Sequence, residues 1–471
     1  MKLYNTLKHS ITKFETNPDH QVRLYTCGPT VYDNVHIGNL RAYISADILR
    51  RALLLNGYKV NWVMNITDVD DKTISKTIKE SGNSSGVPEL EKFTDKYYRG
   101  FLEYLEEVNI PKNEIDFVKV TEKISEIQTF ILDLIEKGYG YKAEDGSTYF
   151  SIEKYQKDFG DYGALVGEKF LEGKKIGARV KVDEYEKENL SDFALWKAHH
   201  PSDGGIFWDH PILGKGRPGW HIECTLINYL KFPEGTDIHT GGVDLIFPHH
   251  TNEIAQAQPI YKPFTKYWIH SEHILVENKK MAKSAGNFYT LSDLKNENIC
   301  SGSDLRFLIL QSHYKTRFNI TLESLKAAKS GLRKLREEIG LLVSKSNNFD
   351  LPNQEFIEKF HKAIDNDLNT PEAIALLYAI LKSPTLTPDQ KLSTIFKMDE
   401  VFGLDLENTY TPVTDDIHNI EPEIQDLLEK RKQAKEQKNY ALSDEIRLKI
   451  EELGYEVTDS PSGTKLKRKA E

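Results

Sequence analysis

Cysteine is scarce: three residues in 471, Cys27, Cys224 and Cys300, are too few for a disulfide framework. Each thiol is therefore a core filler, a metal ligand or a nucleophile. Long apolar runs are missing as well. No segment approaches the ~18 apolar residues of a membrane span, and the opening MKLYNTLKHSITKFE lacks the apolar centre of a signal peptide, which points to the cytoplasm. A positive excess is also absent, since 62 Lys and Arg face 72 Asp and Glu for a net charge of −10. That is the wrong sign for a protein that coats nucleic acid along its length, so any such contact must be local. The opposite balance occurs in the last stretch, Glu429 to Glu471, with 11 basic against 9 acidic residues. Composition gives no sign of disorder or low complexity, with 39% hydrophobic and 28% charged residues. At about 100–200 residues per domain the chain holds three or four domains, which excludes a single small binding module.

Residues Val22 to Cys27 read as a strand, and beyond Gly28-Pro29 the spacing of Leu40, Ile44 and Ile48 predicts a helix from about Gly38 to Leu55. A second strand follows at Lys59 to Met64. Strand, glycine-bearing turn, helix and strand make one βαβ unit of a parallel sheet, with its ligand crevice beyond the carboxyl ends of the strands. From about Phe117 the pattern changes: a helix carrying Ile124, Ile127, Ile131, Leu134 and Ile135 closes at Gly138, and Asp145-Gly146 signals a hairpin. This reads as an inserted module ending at GKGRPG, Gly214 to Gly219. Beyond Asn287 the reading is helical, with Thr321 capping a helix striped by Leu322, Leu325, Leu332, Leu335 and Ile339. Ser344 to Gln354 and Asn408 to Asn419 read as linkers, the second leading to a terminal unit of two charged helices.

Three segments carry chemistry. Cys27-Gly-Pro-Thr-Val-Tyr-Asp-Asn-Val-His36-Ile37-Gly38-Asn39 runs from a strand end into a helix start, where free backbone amides and the helix dipole favour a phosphate. His36 and Asn39 add side-chain donors, and Gly38 leaves room for a nucleotide against the backbone. In Lys279 to Asn287 the two ammonium groups of Lys280 and Lys283 stand three residues apart in a small-residue loop, able to neutralise a leaving pyrophosphate. The third constellation joins Trp220-His-Ile-Glu-Cys224 to Phe247-Pro-His249-His-Thr-Asn-Glu253. His249 and Glu253, four apart, share one helix face, and with Cys27 and Cys224 they form a donor set suited to zinc. Taken singly, each segment has a plainer reading: a loop, a solvated basic turn, a buried thiol beside a capping histidine.

Together and in this order they resemble class I aminoacyl-tRNA synthetases, and the full set resembles the cysteinyl-tRNA synthetase family of bacterial type. That family's signatures, written HIGH and KMSKS, stand here as HIGN at His36 to Asn39 and KMAKS at Lys280 to Ser284. NITDVDDK, RPGWHIEC, FPHHTNEIAQ, GARVKV with DFALWK, DLNTPEA and NYALSDEIRLKIEELGYEVTDSPSGT match further family blocks, so the resemblance spans essentially the whole chain. It implies a Rossmann-like α/β parallel-sheet core with an inserted connective domain, followed by a helical bundle and a small anticodon-binding domain. The expected divisions are core at 1–116 and 216–275, insert at 117–215, a stem-contact region bearing the lysine loop at 276–343, bundle at 344–408 and anticodon-binding domain at 409–471.

The resemblance further implies activation of L-cysteine with ATP and Mg²⁺ and transfer to the 3′-terminal ribose of tRNA(Cys). His36, Asn39, Lys280 and Lys283 would be catalytic; His36, Gly38, Asn39, His239, Asp244, Lys280 and Lys283 would bind ATP; Gly28, Thr30, Thr67 and Trp220 would wall the amino-acid pocket. Cys27, Cys224, His249 and Glu253 would bind one Zn²⁺ whose open position takes the substrate thiolate. A serine hydroxyl binds zinc poorly, so no editing site is required. A monomer in the cytoplasm is implied. Asn39 for the second His keeps an amide donor, Ala282 for Ser keeps both lysines, and Leu466 stands where relatives carry Trp, which removes an aromatic stacking contact to the anticodon. Cys300 matches no motif and reads as structural. Two alternatives are a ligase joining cysteine to an amino-sugar inositol, which lacks the terminal module, and a non-catalytic RNA-binding paralogue, which would have lost zinc ligands or loop lysines.

Overall fold

The computed structural model describes residues 1–16, 19–160, 162–167, 175–176, 189–190, 192–280, 288–346, 351–410, 422–436, 439–453, 455–460 and 463–468. They fall into two compact units, Met1–Thr411 and Pro412–Glu471.

The first unit opens with an antiparallel pair, β1 (Lys2–Asn5) and β2 (Ser10–Lys13). β3 (Gln21–Thr26) then enters the centre of a five-stranded sheet. α1 (Ile37–Leu55) carries the chain over to β4 (Lys59–Ile66), which lies parallel to β3 with Val22 opposite Val60. The helix forms where the sequence predicts it because Ile37, Leu40, Ile44 and Ile48 recur on one buried face. α2 (Asp71–Ser81) and α3 (Val87–Glu107) lead to β5 (Ile115–Lys119), parallel to β4. Strands Thr236–Gly242 and Thr265–Ser271 complete the other side, so the spatial order is 265–271, 236–242, β3, β4, β5, all parallel. Strand order reverses between β3 and Thr236–Gly242, and the crevice of a doubly wound sheet opens at that point.

β5 runs through residue 117, where the insert was expected to begin. Ile115 and Val118 bury against the core, so the excursion leaves the sheet after Lys119. α4 (Ile124–Glu136) follows, with Gly138 at φ 80° after it. β6 (Gly140–Lys142) and β7 (Thr148–Phe150) form the hairpin around Asp145-Gly146, and strands Phe193–Ala198 and Gly216–Pro218 extend that sheet past the expected end at 215. GARVKV, residues 177–182, lies outside the described residues.

Strand Ile274–Val276 pairs with Lys279–Lys280 and with Phe318–Ile320. Helix Leu322–Val343 starts at Thr321, whose hydroxyl accepts from the Ser324 amide at 3.0 Å, and buries Leu325, Leu332, Leu335 and Ile339. Helices Gln354–Asp365, Thr370–Lys382 and Pro388–Phe402 pack after it.

The second unit contains the two expected helices, Pro422–Glu436 and Tyr440–Glu452, around Ile424, Ile446, Ile450 and Val457. It also contains an antiparallel hairpin, Tyr455–Ser460 with Gly463–Arg468, absent from the sequence reading, in which Leu466 pairs with Val457. Among the described residues no helix is long and apolar enough to cross a membrane.

Candidate active site and metal centre

Cys27 is the first residue beyond β3, with its amide held by Thr240 O at 3.3 Å across the point of reversed order. Cys224 sits in the second turn of helix Trp220–Lys231. His249 is the penultimate residue of the irregular turn Ile246–His250 that leads into helix Thr251–Ala257, and Glu253 lies in that helix's first turn. The four residues are buried and converge: Cys27 Sγ to Cys224 Sγ 3.7 Å, Cys224 Sγ to His249 Nε2 3.3 Å, His249 Nε2 to Glu253 Oε1 3.1 Å, Cys27 Sγ to Glu253 Oε1 3.8 Å. One donor atom from each lies within 4.8 Å of all the others.

A second set, Cys27, His239, His250 and Glu253, meets the same criterion. The first set has both sulfurs, and Cys27, Cys224 and His249 line the cleft described below, whereas His239 and His250 do not. Those two histidines instead support the ligands. His250 Nε2 lies 3.2 Å from Cys27 Sγ while its Nδ1 meets His270 Nε2 at 2.7 Å, and His270 Nδ1 meets Thr6 Oγ1 at 2.7 Å. When Cys27 is a thiolate, as a metal ligand must be, neutral imidazoles satisfy this chain with Thr6 donating to His270, His270 to His250, and His250 to the Cys27 sulfur. His249 likewise presents Nε2 to the cluster and Nδ1 to His221 Nδ1 at 3.0 Å.

His239 was expected beside the nucleotide. It lies three residues before the end of its strand, within the sheet, and its Nε2 reaches Glu253 Oε2 at 3.0 Å, beneath the cluster. Burial dominates the electrostatics here. It pushes both thiols up and Glu253 to about 8, and drives His249, His239, His221 and His270 down to about 3. Two thiols, a carboxyl and an imidazole held neutral together suit a divalent cation, whose charge reverses that preference; the donor types fit zinc.

Above the cluster opens a cleft of about 400 Å³. Gly28, Thr30, Thr67 and Trp220, the expected pocket residues, all line it. The indole of Trp220 stacks on His249 at 4.3 Å between ring centres. The Gly28 amide donates to Asn65 Oδ1 at 2.9 Å, and a Cβ there would overlap Asn65 O. Thr67 donates to the buried carboxyl of Glu223 at 2.8 Å.

On the other side stand His36, Gly38, Asn39 and Asp244. His36 caps α1: its Nδ1 accepts from the Gly38 and Asn39 amides at 3.0 and 3.3 Å, so Nε2 carries the proton. Burial lowers the His36 pKa against the opposing pull of Asp244, keeping the ring a neutral donor. Asn39 Oδ1 returns to the His36 amide at 3.2 Å, leaving its side-chain NH₂ as donor.

Lys280 ends strand Lys279–Lys280, opposite Leu275. Lys283 and Ala282 lie outside the described residues. Phe288, the next described residue, also lines the cleft, and Tyr289 O accepts from the Ile37 amide at 3.1 Å. One residue that sequence reasoning passed over ties these parts together. Arg41, in α1 and 1% exposed, donates to His273 O, His313 O and Thr316 O at 3.1, 3.1 and 2.7 Å and to Tyr314 O at 3.4 Å. It thereby fastens the signature helix to the wall segment Ser271 to Ile274. Its only advance signal was an arginine among the apolar positions of α1.

Fold and site define a class I aminoacyl-tRNA synthetase. Residues 13–330 match the family described as tRNA synthetases class I (C) catalytic domain, and residues 359–384 match the DALR domain. The chain is 41% identical over 482 residues to a cysteine–tRNA ligase of Chlamydia pneumoniae, covering 98% of this chain and 97% of that one. It is 40% identical over 481 residues to a cysteine–tRNA ligase of Brachyspira hyodysenteriae, covering 99% of both. The chain belongs to the cysteine–tRNA ligase family. A solved methionyl-tRNA synthetase of Mycobacterium tuberculosis with methionyl-adenylate shares the fold at a TM-score of 0.55 and 14% identity, covering 82% of this chain and 90% of that one.

Proposed function

We propose that the cleft activates L-cysteine with ATP and passes the cysteinyl group to tRNA(Cys). The observation that carries this reading is the buried Cys27–Cys224–His249–Glu253 cluster at the base of a cleft whose far rim is His36 to Asn39. These four residues would hold zinc, which when bound supplies a soft Lewis acid that takes a thiolate in preference to a hydroxyl. Trp220, Thr30, Thr67 and Gly28 wall the amino acid. A substrate carboxylate oxygen then bonds to the α-phosphorus of ATP, brought with Mg²⁺, as the bond to the bridging oxygen of pyrophosphate breaks. His36 Nε2–H and the Asn39 amide donate to the nucleotide, and Lys280 and Lys283 neutralise the departing pyrophosphate. Attack by the tRNA ribose hydroxyl on the acyl carbon releases AMP. Asp244 faces the same space, while His239 stands beneath it against Glu253.

The same proposal includes the division of the first unit into core, insert, stem-contact region and bundle, a monomeric state and a cytoplasmic location; light scattering tests the second. Cysteine-dependent ATP–pyrophosphate exchange, with serine as competitor and with metal content measured beside activity, tests the reaction. Cysteine alone should drive exchange, and Cys224→Ser should lose both bound zinc and exchange. A folded, zinc-loaded protein without exchange would overturn the proposal.

A further inference from the structure

α2 and α3 are joined by five residues, 82–86, and pack side by side as a hairpin. Each carries a basic stripe opposite its buried face. On α2, Lys72, Lys76 and Lys79 fall at i, i+4 and i+7 while Thr73, Ile74 and Thr77 are buried. On α3, Lys92, Lys96 and Arg99 repeat the spacing while Leu90, Phe93, Thr94 and Phe101 are buried.

The acidic residues of the two helices do not cancel these charges, because most are engaged elsewhere. Asp71 pairs with Lys197 and Arg217, Asp95 with Lys119, Glu106 with Lys112 and Glu107 with Lys295. Glu89 accepts from the Gly86 amide. Of the six cations only Lys76 has an ion-pair partner among the described residues, Asp33 at 2.8 Å. Unpaired cations on a chain of net charge −10 mark a local anion surface.

That surface leads to the active-site cleft. Lys72 and Tyr32 both line the cleft, and the ammonium groups of Lys72 and Lys76 lie 5.3 and 4.9 Å from the centre of the Tyr32 ring. α3 returns to the same rim, where a Cβ on Gly100 would stand 3.7 Å from Asn34 Oδ1. From Lys72 to Lys79 the stripe runs about 10 Å outward. A basic path beside an aromatic ring is the arrangement that binds single-stranded nucleic acid, whose phosphates and base faces are both accessible.

We infer that the basic faces of α2 and α3, with Tyr32, form the docking path for the single-stranded 3′ end of the tRNA on its way into the cleft. This rests on the ligase reading above. The test compares the parent chain with Lys79→Gln/Lys92→Gln, two positions outside the cleft lining. Binding is measured across a salt series with a tRNA(Cys) transcript and with the same transcript lacking its single-stranded 3′ tail. Loss of two single-strand phosphate contacts lowers the slope of log affinity against log salt by about 1.4 for the intact transcript. The tailless transcript should bind parent and variant alike. The KM for tRNA in charging should rise while cysteine-dependent pyrophosphate exchange reports the adenylate step separately. Equal weakening of both transcripts would assign the stripe to the tRNA body and overturn the inference; an unchanged slope or a parallel fall in exchange would do the same. Absence of exchange in the parent chain would instead sink the ligase reading.

Discussion

Replacing Arg41 by Met keeps the length of the side chain and removes the guanidinium. Four carbonyls lose a donor, but three of them keep another. His273 O still accepts from the Phe318 amide at 3.3 Å, Tyr314 O from the Glu272 amide at 2.8 Å, and His313 O from the Thr316 amide at 2.9 Å. Thr316 O, the closest partner at 2.7 Å, has no other donor among the described residues. The stability cost is therefore near that of one orphaned acceptor, about 1–3 kcal/mol, and part of it is offset because a buried cation with no carboxylate in contact no longer has to be desolvated. Burial lowers the Arg41 pKa to about 10, so it is charged at neutral pH and this relief is real. The functional cost should be larger than the stability cost. His273 and Ile274 line the same cleft as His36 and Asn39, and a displacement on the order of 1 Å at a reacting site can cost about a hundredfold. ATP–pyrophosphate exchange, titrated separately in ATP and in cysteine, should show KM for ATP raised at least about tenfold with KM for cysteine near the parent value, alongside denaturant unfolding to read stability. A variant that loses stability but keeps the parent KM for ATP would refute the positioning argument.

Three further outcomes can be checked directly. Asp68 is buried, and desolvation raises its pKa from 3.8 to about 6 despite hydrogen bonds from the Thr121 amide and hydroxyl. The folded state thus holds the proton longer than the unfolded state, so this group costs nothing below about pH 4 and destabilises progressively up to pH 6, by roughly 3 kcal/mol at most; Asp68→Asn should gain stability relative to the parent as pH rises from 4 to 7, and parallel stability curves would contradict this. Gly28→Ala must displace Asn65, so exchange should fall at least about a hundredfold, measured with zinc content to separate pocket damage from metal loss. Cys300 is 2% exposed and burial lifts its thiol pKa to about 12; Cys300→Ser should keep full zinc content and exchange, and loss of zinc would reveal an unrecognised ligand role.

The central βαβ unit was legible because its apolar spacing and its glycine break agree, and the metal cluster because Cys27, Cys224, His249 and Glu253 fall in blocks that resemble one family. The supporting histidines were not legible. His250 adjoins His249 in sequence and both present Nε2 to the cluster, but which donors each one meets, Cys27 for His250 and Cys224 with Glu253 for His249, depends on the irregular turn Ile246 to His250. His239 lies deeper than its motif suggests, because a motif shows that a residue is near the site but not its depth along a strand. At about 3.3 Å per residue, three positions before the strand end keep it in the sheet, whereas Gly241, Gly242, Asp244 and Leu245 reach the crevice. The terminal hairpin escaped because Tyr455 to Arg468 is short and largely polar, and it pairs through backbone register rather than through a strong apolar alternation.

The run from Cys27 to Asn39 supplies a metal donor, pocket wall and phosphate-side donors without interruption, and it is pinned at Cys27 to Thr240, at Val31 to Thr67 and at Ile37 to Tyr289. Its length is therefore more constrained than its spelling. An exchange such as Asn for His at position 39 leaves every pin in place, whereas a single inserted or deleted residue would shift one end of the substrate relative to the other by a full peptide unit. Variation in this stretch should consequently be accepted as substitution and rejected as a change of length, the reverse of what surface loops elsewhere in the chain tolerate.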